Sequence, residues 1–215
     1  MRLKSLELHG FKSFPDRTKI DFSEGMTVIV GPNGSGKSNI ADAIRWVLGE
    51  LSSKNIRGNK MEDIIFGGTN GRSPMSFAEV SLTIENNGEN KIDSEFEEIK
   101  ITRRYYRSGD SEYLINNKIV RLRDIVEMFM NTGIGKTGYS MIGQGRVSEI
   151  ISQKSEERRI IFEEAAGISK YRFKKQEAEK RLKETDDNMT RILDIVSELD
   201  GRLLPLEKEA AKAKV

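Results

Sequence analysis

An α/β domain extended by one long helix is the architecture this sequence predicts, and three observations predict it. Short segments alternate apolar and polar residues at the two-residue period of strands, two others repeat at helical spacing, and residues 151–215 carry 15 Lys/Arg and 14 Asp/Glu in 65 positions. That last density is too high for a two-sided core, so the chain divides into a globular part, residues 1–154, and a helical part, residues 155–215.

The opening MRLKSLELHGF alternates as a strand, with Leu3, Leu6 and Leu8 as its apolar positions. Ile20 and Phe22 mark a second strand, and residues 26–30 form a continuous apolar run suited to a strand buried on both faces. Further strands are expected at 78–84, 99–106 and 113–120. Asn116 and Asn117 tolerate the positive φ of a tight turn, so the last of these should fold as a hairpin. Within 99–106 the neighbours Arg103 and Arg104 read as strand-edge charges, and His9 as a packed or surface imidazole. Helices are expected at 37–48 and 122–130, the second from Leu122, Ile125, Val126 and Phe129, so that strands and helices alternate.

From Ser155 the reading is a single helix, with Ser155 as N-cap and Glu156 and Glu157 opposing the positive end of its dipole, and with a bend at Gly167. Ala178, Leu182, Thr185, Met189, Ile192, Val196, Leu199, Leu203, Leu206, Ala210 and Ala213 advance by alternating fours and threes, the seam of a coiled coil. A lone helix cannot bury such a seam, so it requires a partner, and Gly201 and Pro205 are expected to loosen or interrupt it.

Composition narrows the chemistry. The 215 residues carry a net charge of +2, which excludes a uniformly basic nucleic-acid coat but not a local patch. Cysteine is absent and His9 is the single histidine, so thiolate zinc sites, disulfides, cysteine nucleophiles and paired-imidazole sites are excluded within these residues. No stretch reaches the roughly 18 apolar residues of a membrane span, and the N-terminus does not read as a signal peptide, so a cytoplasmic protein is expected.

The apolar run 26–30 leads into Gly31-Pro32-Asn33-Gly34-Ser35-Gly36-Lys37-Ser38, which satisfies G-x-x-x-x-G-K-[ST] and precedes a helical segment. Glycines let successive amides turn inward around phosphate oxygens, Lys37 supplies a charge between β and γ phosphates, and the Ser38 hydroxyl is placed to ligate Mg²⁺. Chance matches to the four fixed positions arise on the order of once per hundred chains of this length, and a strand before and helix after lower that further.

Other stretches carry a more specific resemblance. GFKSF at 10–14, GPNGSGKSN at 31–39, AIRWVLGE at 43–50, NIRG at 55–58, KMEDIIFGG at 60–68, RSGDSEYLINN at 107–117, GQGRV at 143–147 and RRIIFEEAAGISKY at 158–171 together resemble the N-terminal head segment of a bacterial SMC (structural maintenance of chromosomes) ATPase. The resemblance implies an ABC-type P-loop ATPase head, its N-terminal half, with a projecting helix of an antiparallel coiled coil. It implies ATP held by Pro32, Asn33, Gly34, Ser35, Gly36, Lys37, Ser38 and Asn39, with Lys12 and Ser13 brought close by the first strand's loop. Gln144 would join Ser38 on Mg²⁺, and Arg57 would face the phosphate charge. Lys60, Arg121 and Arg123 would contact DNA phosphates. The same resemblance implies as partners the C-terminal half of the head, which carries the signature motif and catalytic carboxylates, a second head, a kleisin subunit on residues 169–195, and double-stranded DNA on the nucleoid; residues 1–215 alone would hydrolyse ATP negligibly. A RecN-like repair ATPase and a nucleotide-independent coiled-coil scaffold are the competing readings.

Overall fold

The computed structural model describes residues 1–87, 92, 94–129, 159 and 168–213. Two compact units are present, Met1–Ile168 and Ser169–Val215.

In the first unit, β1 (Arg2–His9), β2 (Thr18–Asp21), β3 (Phe77–Glu85), β4 (Glu98–Tyr106), β5 (Ser111–Ile115) and β6 (Lys118–Val120) form one antiparallel sheet in the order β2-β1-β3-β4-β5-β6. Helix α1 (Lys37–Val47) falls between β2 and β3, and α2 (Leu122–Phe129) follows β6. The expected alternation of strands and helices therefore gives way to four successive strands, each paired with its sequence neighbour.

Register follows the two-residue period. Leu6, Leu82, Ile101 and Ile115 form one row across β1, β3, β4 and β5, and Leu8, Val80, Arg103 and Tyr113 form the next. These rows face α1, whose Ile40, Ala43, Trp46 and Val47 are buried against them. The opposite face is laced with ion pairs, Arg2 to Glu85, Lys100 to Glu7 and Arg104 to Glu79, and a buried hydroxyl pair, Ser81 with Thr102, closes it at 2.8 Å. His9 is half-buried there, its ring edge-on to Phe77 at 5.3 Å between centroids.

The asparagine hairpin forms as expected: Asn116 and Asn117 have φ of 47° and 66° between β5 and β6. The Asn116 side-chain oxygen also accepts the Lys100 amide at 2.7 Å, tying the turn to β4.

Residues 26–30 do not form the buried strand expected of them. No strand is assigned there, and Met26, Val28 and Val30 are 89%, 70% and 83% exposed. An apolar strand needs hydrogen-bonded neighbours, and none of the six strands pairs with this segment.

The second unit is helix α3 (Ser169–Ala213). Ser155 and Gly167 lie outside the described residues, so the expected start and bend of this helix do too. Pro205 and Gly201 do not interrupt α3, which runs through both. The N–H that Pro205 lacks would have bonded the carbonyl of Gly201, four residues back, and Gly201 is exposed. Leu182, Met189, Ile192, Val196, Leu199, Leu203 and Leu206 are all exposed along the seam, as are Leu193 and Ile195 beside it.

Candidate nucleotide-binding site

The glycine-rich loop turns because Gly34 and Gly36 adopt φ of 84° and 92°, and the Ser35 amide donates to the Pro32 carbonyl. Helix α1 begins directly after it, with Gly36 as N-cap and no side chain capping. The first helical bonds run from Asn39 and Ile40 to the Gly36 carbonyl, so the amides of Lys37 and Ser38 precede them. An uncapped helix start with a lysine on its first residue concentrates donors and positive charge for an anion.

Lys37 folds back on its own loop, its Nζ donating to the carbonyl of Gly31 at 2.7 Å and of Pro32 at 2.6 Å. This holds the ammonium inside the curl of residues 31–36. The loop after β1 closes over the same point. A methyl group on Gly36 would sit 3.0 Å from both Phe14 Cζ and Ser13 Oγ, so only glycine admits this approach. The 10–15 loop is braced by Lys12 N donating to Ile64 O at 2.7 Å and by Phe66 N donating to Gly10 O at 2.8 Å.

A carboxylate that sequence reasoning missed organises the rest. Asp42 is buried on α1, and its Oδ2 accepts Lys12 Nζ at 2.6 Å and Arg57 Nη2 at 2.6 Å, with Arg57 Nε at 3.1 Å. Lys12 Nζ also donates to the Ile56 carbonyl. Arg57 Nη2 reaches Asn39 Oδ1 at 3.2 Å, and Asn39 Nδ2 donates to Ser13 Oγ at 2.8 Å. Lys12, Ser13, Gly36, Asn39 and Arg57, separated in sequence, thus meet at the start of α1. The available signal was an acid buried amid the apolar positions of the helix after the loop.

Pro32, Asn33, Gly34, Ser35 and Ser38 are exposed. Gln144 lies outside the described residues. Lys60 heads the 3-10 turn Met61–Ile64, Arg121 directly precedes α2 and Arg123 lies in its first turn; all three are exposed. The Asp63 carboxylate accepts the amides of Lys60 and Asn59 at 2.9 and 2.8 Å, and these bonds hold its pKa below the usual carboxylate range.

Arg103 corrects an expectation. It is no strand-edge charge: at 1% exposure it lies under α1, its Nη1 donating to the carbonyls of Trp46 and Glu50 at 2.8 Å each. Burial pushes its pKa down, opposed by Tyr113 and Glu50. Arg104 does lie on the outer face, paired with Glu79 and Glu112.

Loop, uncapped helix and converging cations define a P-loop nucleotide-binding domain on an antiparallel sheet. The chain belongs to the RecF/RecN/SMC N-terminal domain family, whose model matches residues 2–200. It is 56% identical over 212 residues to the chromosome partition protein Smc of Desulfitobacterium hafniense, covering 99% of this chain and 18% of that protein. The chain thus spans under a fifth of the length of such relatives. Among solved structures it matches an SMC ATPase studied for ATP-driven dimerization and DNA-stimulated activation, at TM-score 0.69 and 36% identity over 77% of this chain and 99% of that one. It also matches the Smc head with an extended coiled coil from Pyrococcus furiosus, bound to the C-terminal domain of ScpA, at TM-score 0.73 and 36% identity over 92% of this chain and 50% of that one. The fold expected from the sequence, an SMC-type ATPase head with a coiled-coil helix, is the fold these neighbours have.

Proposed function

We propose that residues 1–154 are the ATP-binding N-terminal lobe of an SMC head, that residues 155–215 begin its coiled coil, and that head engagement driven by ATP organises DNA for chromosome condensation and segregation. The carrying observation is the Lys37 ammonium held by the carbonyls of Gly31 and Pro32 beside an uncapped helix start. The residues fit a triphosphate with Mg²⁺: amides and Lys37 for the phosphates, Ser38 and Gln144 for the metal, Arg57 for developing charge. When bound, Mg²⁺ supplies charge neutralisation on the phosphates. Lys37 exchanges loop carbonyls for phosphate oxygens, and Ser13 and Asn39 border the nucleotide from the 10–15 loop side. The general base is supplied by the C-terminal half of the head.

The remaining partners follow from exposed surface. Residues 26–30 offer an apolar, unpaired edge to the C-terminal half of the head. The α3 seam offers its stripe to a returning helix, and Leu193 and Ile195, flanking the seam, widen the apolar face near the end of the 169–195 segment assigned to a kleisin. A ScpA domain is bound in the Pyrococcus neighbour, and dimerization and DNA stimulation are described for the other. Lys60, Arg121 and Arg123 are the DNA contacts, and the second head completes each nucleotide site. The location that goes with this role is the cytoplasm, on the nucleoid.

The test is titration of a fluorescent ATP analogue with Mg²⁺ into the protein carrying both head segments. Saturable binding lost in Lys37→Ala is expected, with phosphate release by the joined segments and almost none by residues 1–215. Binding indifferent to Lys37→Ala refutes the assignment and favours a nucleotide-independent scaffold.

A further inference from the structure

The Asp42 cluster has an uneven construction. One buried oxygen, Oδ2, serves two cations, so the cluster carries one positive charge in excess. The two cations differ in access: the side chain of Lys12 is 11% exposed and that of Arg57 52%, against 3% for Asp42. Lys12 is also bonded to the Ile56 carbonyl and so is held from two sides, whereas the second partner of Arg57 is the Asn39 side chain on the first turn of α1.

The backbone singles out the same pair. Among the described residues four non-glycine positions have positive φ: Asn116 and Asn117 in the hairpin turn, and Lys12 at 49° and Arg57 at 56°. Asparagine adopts that region readily, but lysine and arginine do so at a cost, and such outliers gather where a side chain must be aimed. Both costly residues end on Asp42. Asn39 and Asp42, three apart on α1, belong to the helix whose start carries Lys37, so the acceptors of Arg57 are fixed to the anion-binding element itself.

We propose that Asp42 is a positioning residue with one permanent counterion, Lys12, and one exchangeable counterion, Arg57, which leaves Asp42 for the terminal phosphate of a bound nucleoside triphosphate. Lys12 then keeps the buried carboxylate neutralised, so the exchange leaves no unpaired charge in the protein. This rests on the nucleotide-binding reading above. Its distinct consequence is competition: the resting pair holds back Arg57, and removing the carboxylate charge should tighten triphosphate binding through Arg57.

The test uses the protein carrying both head segments, in four forms: wild type, Asp42→Asn, Arg57→Ala and the double variant. A fluorescent, non-hydrolysable ATP analogue is the probe. Asp42→Asn is expected to tighten binding about fivefold, and most of that gain should vanish in the Arg57→Ala background. An equal effect in both backgrounds, or weaker binding in both, overturns the proposal. Should Asp42→Asn fail to melt cooperatively, phenylglyoxal labelling of the wild type decides, read by mass spectrometry at Arg57 with exposed Arg17 as reference. The ATP analogue should slow labelling of Arg57 about threefold or more and ADP should not; equal rates with ATP analogue, ADP and no nucleotide overturn it. Failure of the underlying reading shows differently, as absence of probe binding by wild type or binding that survives Lys37→Ala, and takes the proposal down with it.

Discussion

Arg103 carries Trp46 on its guanidinium. Its Cζ lies 4.5 Å from the indole centroid while its Nη1 donates to the Trp46 backbone carbonyl at 2.8 Å. One β4 side chain thus bonds the Trp46 carbonyl in the last turn of α1 and the Glu50 carbonyl just beyond it, stacks on the largest fully buried side chain and contacts Tyr113 of β5 at 5.0 Å. A cation suits this place because helix C-termini carry partial negative charge. Arg103→Met should leave two carbonyls without this donor and remove the cation from the ring, costing about 3 kcal/mol. Arg103→Lys should recover only part, since one ammonium cannot stack and bond both carbonyls alike. Chemical denaturation measures this, and a loss below about 1 kcal/mol for Arg103→Met contradicts the account.

The glycines of the loop before α1 differ in what they permit. Gly34 and Gly36 both have positive φ, so alanine at either incurs strain of about 1 kcal/mol. At Gly34 an added methyl meets nothing within 4 Å, whereas at Gly36 it meets Phe14 and Ser13 at 3.0 Å. Gly36→Ala should therefore push the 10–15 loop away and weaken nucleotide binding at least about tenfold more than Gly34→Ala. Similar losses at the two sites would show that the contact with Ser13 and Phe14 is immaterial.

How much of this was legible depends on whether the deciding interaction was local. The Asn116–Asn117 hairpin could be read directly, because two residues that tolerate positive φ sat between alternating segments. The turn of the glycine-rich loop, with Gly34 and Gly36 at positive φ, was equally local. Arg103 was not, although its register with Ile99, Ile101 and Tyr105 on the inward face was visible in the two-residue period; charge suggested the surface, and the Glu50 and Trp46 carbonyls that receive it come from 53 and 57 residues away. Asp42 was missed because its two cations arrive from separate loops. Residues 26–30 were read as buried from apolarity alone, and apolarity states a need for neighbours without naming them. Gly201 and Pro205 were each read as breakers, yet α3 runs through both.

The proposed DNA contacts make a salt-dependent prediction. Changing Lys60, Arg121 and Arg123 together to Glu should weaken binding to duplex DNA irrespective of sequence. Each phosphate contact removed should flatten the log-affinity slope against log salt by about 0.9. Nucleotide affinity should hold within about twofold, because none of the three belongs to the Asp42 cluster. Unchanged DNA binding removes the patch from the proposal.

The Met61–Ile64 turn also carries a group linked to pH, Asp63. The pKa of Asp63 is lowered in the fold chiefly by the amides of Lys60 and Asn59, so its contribution to stability is present above the ordinary carboxylate pKa and lost as pH falls through the lowered one. Glu85, lowered by its hydrogen bond from Arg2, behaves alike. Thermal midpoints should fall on acidification below the carboxylate range, and Asp63→Asn and Glu85→Gln should each flatten that fall. A slope unchanged in both variants contradicts the assignment.

Helix α3 offers a test of sign. Glycine in an exposed helix is worth about 1 kcal/mol less than alanine, so Gly201→Ala is ordinarily stabilising. The ring of Pro205 falls against the carbonyl of residue 201, one turn back, while a methyl added at 201 meets nothing within 4 Å. Gly201→Ala should therefore gain about 1 kcal/mol even with Pro205 in place. Pro205→Ala should restore the missing bond and raise helix stability by about 3 kcal/mol, and in that background Gly201→Ala should gain about 1 kcal/mol more. Helix melting followed by circular dichroism on the four proteins supplies the cycle. Additive effects are expected; a gain from Gly201→Ala that appears only without Pro205 would show that the glycine and the proline are coupled.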